Sequence, residues 1–319
     1  MSGACFNGRV QAARNARAAS RQVNVRERLP RDVRRLLLIT AWALGALGLA
    51  LVLIVNIAFG GFGADSHAYW MAWRGPMYTA GPVTPNWTGP NPYLYSPAFA
   101  QALWPATQLP WPVFAAAFAL MDAAVLAWLL RPVGWRWSVP TFFALLPEVT
   151  SSNIYIPLAA MCVLGFRYPS VWAFSALTKV APTVMPVWWV VRREWGSLAL
   201  WVGTTAVIVI VSVLIAPQLW MDWVSHMVSW AGESGRALGT EQMLPLLYRA
   251  PIGLLLLVIG ARKDWRWTVP VAALFCTPVY WLGSFAWLAA IPRILRARRD
   301  ELNACDYPGE ANSARWPSG

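Results

Sequence analysis

The sequence predicts an all-α, polytopic membrane protein of about ten transmembrane segments, several of them short and broken. Of its 319 residues 58% are hydrophobic and 13% are charged, and this is about half the charged share of soluble domains. The chain also contains 22 Trp and 25 Pro, and the prolines recur inside apolar runs. Trp is typical of membrane interfaces, and helix bundles in lipid tolerate Pro better than soluble helices do.

Basic residues flank the apolar runs. The formal net charge is +12, and nine arginines precede Leu36. Further clusters lie at residues 192–193, 262–266 and 293–299. Under the positive-inside rule such clusters lie in the cytoplasm, so the charge orients the chain and does not indicate nucleic-acid binding. Membrane lipid is the expected environment, and the basic N-terminal tail is also suited to anionic lipid.

The apolar runs thread the chain through the bilayer with both termini in the cytoplasm. Residues 36–59 form the first span, and residues 60–110 form a large first outer loop whose apolar piece, 94–109, lies along the surface or dips into the membrane. The remaining predicted spans are 111–130, 137–146, 154–166, 170–178, 183–191, 195–216, 251–260, 267–277 and 279–291, with a second outer loop at 217–249. The predicted domains are a basic tail (1–35), a transmembrane domain (36–292) and a polar tail (293–319).

Several of these runs are too short to span a membrane alone. At ~1.5 Å per residue, 170–178 reaches about 14 Å and 154–166 about 20 Å, whereas the hydrocarbon is about 30 Å thick. Backbone that ends at such a depth has to line protein or a watery cavity. We therefore predict a recessed vestibule in the outer leaflet, with the turns at 146–153 and 178–182 as its floor.

A few polar residues fall at this vestibule. The threading puts Asp65, Arg74, Glu148 and Lys179 on the outer side, and Glu148 shares a turn with Asn153. A carboxylate near a cation suits transfer from an anionic lipid-linked donor, because one group takes a proton and the other holds phosphate. The same residues are also consistent with ordinary interfacial charges beside water.

Other polar residues indicate less. Asp122 lies in the middle of a span, where exposure to lipid costs about 3 kcal/mol, so it should face the bundle in a structural or a functional role. His67 and His226 are far apart and lack metal-binding spacing, and the four cysteines lack it as well, so we predict no metal site. No phosphate-binding glycine loop and no Gly-x-Ser-x-Gly motif occurs, which leaves soluble-nucleotide chemistry without support.

Six motifs follow one another in an order that resembles a known family. They are Ala64-Asp65-Ser66-His67-Ala68-Tyr69-Trp70, Gly75-Pro76-Met77-Tyr78, Tyr93-Leu94-Tyr95-Ser96-Pro97, Gln108-Leu109-Pro110-Trp111, Ser151-Ser152-Asn153-Ile154, and Thr178-Lys179-Val180-Ala181-Pro182 with the basic loop after it. Over roughly residues 36–201 this order resembles glycosyltransferase family 87. That family contains polyprenyl-phosphate-sugar-dependent mannosyl- and arabinofuranosyltransferases of the GT-C fold. Ser152 stands where the family has Gln.

The resemblance implies a GT-C-like bundle and a set of site residues. Asp65 would be the catalytic base, and Lys179, with Arg74, would bind the donor phosphate. The candidate substrate-binding residues are Glu148, Asn153, His67, Tyr69, Tyr93 and Tyr95. The tyrosine rings either stack on sugar faces or form an interfacial belt.

The predicted function is inverting transfer of a sugar, mannose or another hexose or pentose, to a cell-envelope glycan or glycolipid. The donor is a polyprenyl-phosphate sugar, used as a co-substrate on the outer face of the plasma membrane. No cofactor and no tightly bound metal is expected, because a basic side chain can neutralise a monophosphate. Two alternatives stay open: a lipid-linked sugar transporter or flippase, although no convincing internal repeat is visible, and a non-catalytic component of an envelope complex.

Overall fold

The computed structural model describes residues 30–78, 93–179, 182–237, 246–278 and 282–306, and the regular structure in these ranges is helical. The α-helices are α1 (Arg31–Phe59), α2 (Ala64–Met71), α3 (Pro97–Thr107), α4 (Trp111–Leu130), α5 (Trp135–Ala144), α6 (Leu146–Ser151), α7 (Tyr155–Leu164), α8 (Trp172–Thr178), α9 (Met185–Arg192), α10 (Trp195–Ile215), α11 (Pro217–Ala237), α12 (Leu246–Lys263), α13 (Thr268–Cys276) and α14 (Ile291–Asp306). Short 3₁₀ segments cover Arg131–Val133 and Pro169–Val171, and a longer one covers Leu282–Ala290. Residues 1–29 of the predicted basic tail, residues 307–319 of the predicted polar tail and parts of both predicted outer loops lie outside the described residues.

Within the described ranges, three helices are long and apolar enough to cross a membrane by length and composition, namely Arg31–Ala58, Trp111–Val133 and Trp195–Ile215. Large apolar side chains on them point away from the protein: Ile57 is 83% exposed, Leu120 70% and Leu214 78%. Lipid is the solvent in which such surfaces are stable. The chain is therefore a helical membrane protein. Its other described helices are shorter or less apolar, so the number of about ten crossings stays a prediction.

Most helix positions agree with the sequence. The predicted spans 111–130 and 195–216 coincide with α4 and α10 within one residue. The short runs form short helices, because α7 has 10 residues and α8 has 7. The last predicted span, 279–291, differs: residues 279–281 lie outside the described residues, and Leu282–Ala290 is a 3₁₀ segment.

The predicted second outer loop, 217–249, contains a long helix, α11. Two indole N–H groups tie α11 to its neighbours: Trp220 donates to the Ser212 hydroxyl at 2.9 Å, and Trp223 donates to the Leu94 carbonyl at 3.3 Å. Mixed polar and apolar residues made this stretch too polar for a span, but such a mixture also suits an amphipathic helix. The position of this region outside the membrane stays a prediction.

The tryptophans divide between the interior and the surface. Four of them are among the largest fully buried side chains, and they are Trp172, Trp188, Trp189 and Trp287. Others stay exposed beside basic residues, as Trp135 and Trp195 do. Composition alone had suggested membrane interfaces as the place of Trp, and the structure uses many of these rings as core instead.

One end of the bundle is held by an ion-pair network centred on Asp264, which lies in the turn between α12 and α13. Its carboxylate pairs with Arg192 at 3.3 Å, with Arg266 at 3.7 Å and with Arg298. Arg266 also pairs with Glu301 at 2.9 Å. Three basic clusters that the sequence placed on one side of the membrane therefore meet in the structure.

Helix α4 separates this network from the first sequence motif. Near its start, the Trp111 ring packs edge-on against His67 of α2, with ring centroids 4.8 Å apart. Near its end, the guanidinium of Arg293 lies 4.4 Å from the centroid of the Trp128 ring. Arg293 belongs to α14, the helix that also carries Arg298 of the network. The two tryptophans are about 25 Å apart along a straight helix. Helix α2 and the basic network consequently lie near opposite ends of α4.

Helices α1 and α5 pack with their backbones unusually close. A Cβ atom on Gly45 would lie 2.7 Å from the Pro140 carbonyl oxygen, and one on Gly48 would overlap the Phe143 carbonyl oxygen. Small residues permit such backbone contact between membrane helices. Helix α5 leads directly into α6, so this contact also sets the position of α6.

Candidate active site

Two hydrogen bonds bring the ends of four short elements together. The Gly63 N–H donates to the Thr150 carbonyl at 2.7 Å, which joins the start of α2 to α6. The Ser96 hydroxyl donates to the Leu177 carbonyl at 2.6 Å, which joins the start of α3 to the end of α8. Asp65 and Asn153 lie close in the chain to the first contact, and Lys179 lies two residues after the second.

Local backbone geometry aims two of these side chains. Gly63 has φ +72°, in the left-handed region that favours glycine, and it begins α2 so that Asp65 lies in the first helical turn. Ser152 has φ +58° and ends α6, and the chain then turns to present Asn153. A non-glycine residue with such a φ value is uncommon and usually needs support from its surroundings.

The central feature is a hydrogen-bonded chain of three side chains. The Asn153 Nδ2 donates to Asp65 Oδ2 at 3.2 Å, and Lys179 Nζ donates to Asn153 Oδ1 at 3.4 Å. Lys179 Nζ also lies 3.4 Å from the centroid of the Tyr155 ring, as a cation–π contact. The turns that were predicted to floor the vestibule therefore meet, although residues 180–181 lie outside the described residues.

The hydrogen-bonded side chains differ sharply in how much of each is exposed at the protein surface. Asp65 and Lys179 are partly exposed, whereas Asn153 is 5% exposed and Tyr155 is 2% exposed. A substrate can therefore reach the carboxylate and the ammonium group more readily than the amide between them. The arrangement offers a proton acceptor and a positive charge at a fixed separation, which is what acyl, glycosyl or phosphoryl transfer from an anionic donor requires.

Glu148 lies near Asp65 and Lys179, but its side chain is buried. It is 1% exposed, and neither carboxyl oxygen has a hydrogen-bond partner within the described residues. Burial raises the pKa of Glu148 well above its usual range, Asp65 acts in the same direction, and Lys179 opposes it. The protonated form of Glu148 is therefore favoured.

Asp122 is enclosed within the bundle, as the sequence predicted. It is fully buried in α4, and neither of its carboxyl oxygens has a hydrogen-bond partner within the described part of the chain. A structural hydrogen bond to a neighbouring helix, which the sequence left open, is therefore not observed among these residues.

Lys179 keeps its charge. Burial lowers the pKa of Lys179, but its contact with Tyr155 is the largest of the effects that outweigh burial and raise the pKa above its usual value. Tyr95 is neutral, because burial raises its pKa to about 12, with Asp65 adding to the rise and Lys179 opposing it. The ammonium group is thus a permanent cation at physiological pH.

The three tyrosines form one cluster beside the chain of Asp65, Asn153 and Lys179. The Tyr69 and Tyr95 hydroxyls are 3.1 Å apart, and the Tyr93 and Tyr95 ring centroids are 5.6 Å apart. Tyr69 is 1% exposed and Tyr93 is 4% exposed, so these two rings pack inside the protein and form no interfacial belt. Only Tyr95 of the three is partly exposed, and it is the one best placed to contact a substrate.

The observed contacts of Arg74 and His67 are with residues outside this cluster. The Arg74 guanidinium lies 3.5 Å from the centroid of the Trp70 ring and donates to the Trp70 and Thr107 carbonyls, the latter at 2.6 Å. Arg74 lies three residues beyond the end of α2, whereas Asp65 lies in the first turn of that helix. The His67 ring packs on Trp111, and burial lowers its pKa. Their roles in substrate binding stay predictions without support from these contacts.

Sequence reasoning missed Tyr155. This residue begins α7, two positions after Asn153, and its ring makes the cation–π contact with the ammonium group of Lys179. In the sequence it stands at the start of an apolar run, where an aromatic residue is expected anyway. A tyrosine beside a polar turn was the available signal, although it is a weak one.

Residues 93–306 match the family model of glycosyltransferase family 87. The chain belongs to glycosyltransferase family 87. The match contains Asn153 and Lys179, begins after Asp65, and extends further toward the C-terminus than the motifs that run over residues 36–201. No curated protein and no solved structure matches the chain. As a member of family 87 the protein is a membrane glycosyltransferase.

Proposed function

We propose that this family 87 protein transfers a sugar, mannose or another hexose or pentose, from a polyprenyl-phosphate donor to a glycan or glycolipid of the cell envelope. The observation that carries the proposal is the chain from Asp65 through Asn153 to Lys179. The reaction needs a base for the acceptor hydroxyl and a positive charge for the leaving phosphate. Both groups are present, partly exposed and held together by one amide.

The proposed reaction is a single inverting displacement. The Asp65 carboxylate takes the proton of the acceptor hydroxyl as that oxygen forms a bond to the anomeric carbon. The bond between the anomeric carbon and the phosphate oxygen breaks, and polyprenyl phosphate leaves with the electron pair. The Lys179 ammonium group balances the charge that develops on this oxygen. In this scheme Lys179 takes the place that a metal ion would have.

An apolar groove between α3 and α10 supports a lipid-linked donor. The groove has a volume of about 300 Å³, and its lining residues are Ala98, Gln101, Val207, Ile208, Val211, Ser212 and Ile215. Ala98 comes two residues after Ser96, whose hydroxyl binds the Leu177 carbonyl just before Lys179. An isoprenoid chain in this groove would start near the ammonium group, which favours a lipid-linked donor over a soluble nucleotide sugar.

The charge distribution supports an active site on the outer face of the cell membrane. Helix α2, which carries Asp65, and the basic network around Asp264 lie near opposite ends of α4. If the basic end is cytoplasmic, as the positive-inside rule requires, the site is on the outer side and both termini are inside. The proposed fold retains about ten crossings, in which short helices pair to reach across the membrane.

A transfer assay in detergent tests the proposal. Purified protein is incubated with a panel of radiolabelled polyprenyl-phosphate sugars and a lipid extract of the cell envelope as acceptor. We expect one donor to release polyprenyl phosphate and to label an acceptor, and we expect the rate to be unchanged by EDTA. Absence of transfer for every donor, together with donor translocation in liposomes, would overturn the proposal in favour of a flippase.

A further inference from the structure

The amide of Asn153 is bound on both sides by charged groups. Its Nδ2 donates to Asp65 Oδ2 and its Oδ1 accepts from Lys179 Nζ, at 3.2 Å and 3.4 Å. A carboxylate can only accept hydrogen bonds and an ammonium group can only donate them. The reverse orientation of the amide would place its NH₂ against the ammonium group and its oxygen against the carboxylate. The two neighbours therefore fix one orientation of the Asn153 side chain.

The backbone around Asn153 is fixed as well. Ser152, with its left-handed conformation, donates its N–H to the Glu148 carbonyl at 3.1 Å and to the Val149 carbonyl at 3.2 Å. Asn153 itself is 5% exposed, and Ile154 after it is fully buried. The amide is therefore a rigid part of the protein interior, and a substrate that reaches Asp65 or Lys179 has little access to it.

We propose that Asn153 is a positioning residue that acts through Asp65 and Lys179 and does not contact the substrate. It holds the base and the cation at a fixed separation, so that both act on one bound donor. A hydrogen bond to the ionised form of a carboxyl group favours that form, so Asn153 also keeps Asp65 ready to accept a proton. Lys179 polarises the amide from the other side and strengthens this bond. The inference rests on the proposed function, in which Asp65 is the base.

Kinetics of an Asn153→Ala variant, with the donor that the panel assay selects, tests this role. We expect kcat to fall about 10- to 100-fold, because a misplaced base loses most of its effect. The acid limb of the kcat/KM profile should move to higher pH by about one unit, since Asp65 loses a donor to its ionised form. The KM for the donor should change less than threefold. Asn153→Asp should move the acid limb in the same direction, because a second carboxylate opposes ionisation of Asp65.

Thr150→Val is the matched control. Thr150 lies in α6, the short helix just before Asn153, and its hydroxyl donates to the Pro147 carbonyl at 3.2 Å, so the variant removes a local hydrogen bond of α6 without changing the amide of Asn153. It should keep the wild-type pH profile. If Thr150→Val shifts the profile as Asn153→Ala does, the effect belongs to the turn as a whole, and the positioning role of Asn153 is wrong.

Binding of undecaprenyl phosphate to protein in nanodiscs separates the remaining outcomes, because it requires no transfer. Lys179→Ala should weaken binding at least about tenfold, as expected for loss of a charged hydrogen-bond donor to phosphate, while Asn153→Ala should weaken it less than threefold. Loss of binding in Asn153→Ala with an unchanged pH profile would show direct substrate contact and overturn the inference. If the wild-type protein neither binds the phosphate nor transfers a sugar, the proposed function itself fails, and the inference fails with it.

Discussion

Asp65 and Glu148 are two carboxyl groups in very different surroundings. Asp65 is partly exposed and accepts a hydrogen bond from Asn153. Glu148 is 1% exposed, and its carboxyl oxygens have no hydrogen-bond partner among the described residues. Surroundings that favour ionisation of one carboxyl group and oppose it for another distinguish a base from an acid. At the residue scale, Asp65 is therefore the better candidate for the base.

Replacing Asp65 by Asn tests this assignment. Asn keeps the size of the side chain and removes its basicity, so we expect kcat to fall at least about a hundredfold, within the usual value of general base catalysis. The measurement is the transfer rate on protein whose folding is checked by its melting temperature. Activity near the wild-type level would show that Asp65 is not the base, and Glu148 would be tested next.

Replacing Glu148 by Gln tests the protonation state of this buried group. Burial raises the folded-state pKa of Glu148 above its unfolded value, which is about 4.3. Such a carboxyl group destabilises the fold increasingly as the pH rises from the unfolded pKa through the folded pKa. Gln resembles the protonated form and removes this cost. The melting temperature of Glu148→Gln should equal that of the wild type near pH 4 and exceed it increasingly toward neutral pH. A constant difference at every pH would contradict a neutral, buried Glu148.

The sequence identified much of the candidate site and little of its detail. Charges are rare in this chain, so Asp65 and Lys179 stood out as soon as the threading put them on one side. Side-chain direction was not accessible in the same way, because spacing does not say what encloses a ring or a guanidinium group. For that reason the burial of Tyr69 and the carbonyl contacts of Arg74 appear only in the structure.

At the scale of elements, the site forms where two short helices end, because the residues that follow those ends belong to the site. Helices α6 and α8 have 6 and 7 residues, and Asn153 and Lys179 follow their ends. The lengths of the apolar runs were sufficient to predict these interruptions. They were not sufficient to predict α11, because a stretch that is too polar for a span is equally compatible with a loop and with an amphipathic helix.

The groove between α3 and α10 gives a prediction at this scale. Val211→Phe would narrow the groove, so we expect the KM for a donor with a long isoprenoid chain to rise about tenfold or more. The KM for a donor with a short chain should stay near that of the wild type, because its phosphate still reaches Lys179. Steady-state kinetics with both donors measures this difference.

Val202→Phe is the control for that experiment. Val202 is 50% exposed on the same helix and does not line the groove. Its KM values should match the wild type for both donors. Equal effects of the two substitutions, or an equal loss with short and long donors, would count against the groove as the site of the isoprenoid chain.

At the scale of the whole molecule, the described residues contain three helices that are long and apolar enough to span the membrane and many shorter ones. Membrane insertion was evident from composition, and the grouping of basic clusters was evident from the positive-inside rule. The number of crossings was not, because it depends on how short helices pair and how much of each lies in lipid. Asp264 shows the strength of the charge argument, since three clusters distant in sequence converge on it.

Cysteine labelling in intact cells tests the orientation of the whole molecule. Single cysteines at Phe62 and Met71, which are 41% and 39% exposed, should react with an impermeant maleimide from outside. Single cysteines at Arg136, Arg193 and Lys263, which are also exposed, should react only after the membrane is opened. The background needs all four native cysteines replaced. Labelling at Arg193 from outside would reverse the proposed orientation of α9 and place Lys179 on the wrong side.

Helices α1 and α5 together determine how the two parts of the site meet. Helix α1 leads into α2, which carries Asp65, and helix α5 leads into α6, whose Thr150 carbonyl accepts a hydrogen bond from Gly63 at the start of α2. The glycines Gly45 and Gly48 set the distance between α1 and α5, because a Cβ atom at either position meets the backbone of α5.

A mutational scan scored by transfer activity should therefore find that Gly45 and Gly48 tolerate as few substitutions as Asp65 does. Leu44 and Leu47, which are 52% and 55% exposed on the same helix, should accept other apolar residues freely. Equal tolerance at all four positions would contradict the role of Gly45 and Gly48 in setting the distance between α1 and α5. Gly48 lies about 17 Å along α1 from the end of that helix. Some of the substitutions that abolish transfer should therefore lie within the membrane-spanning part of α1, at residues that do not contact the substrate.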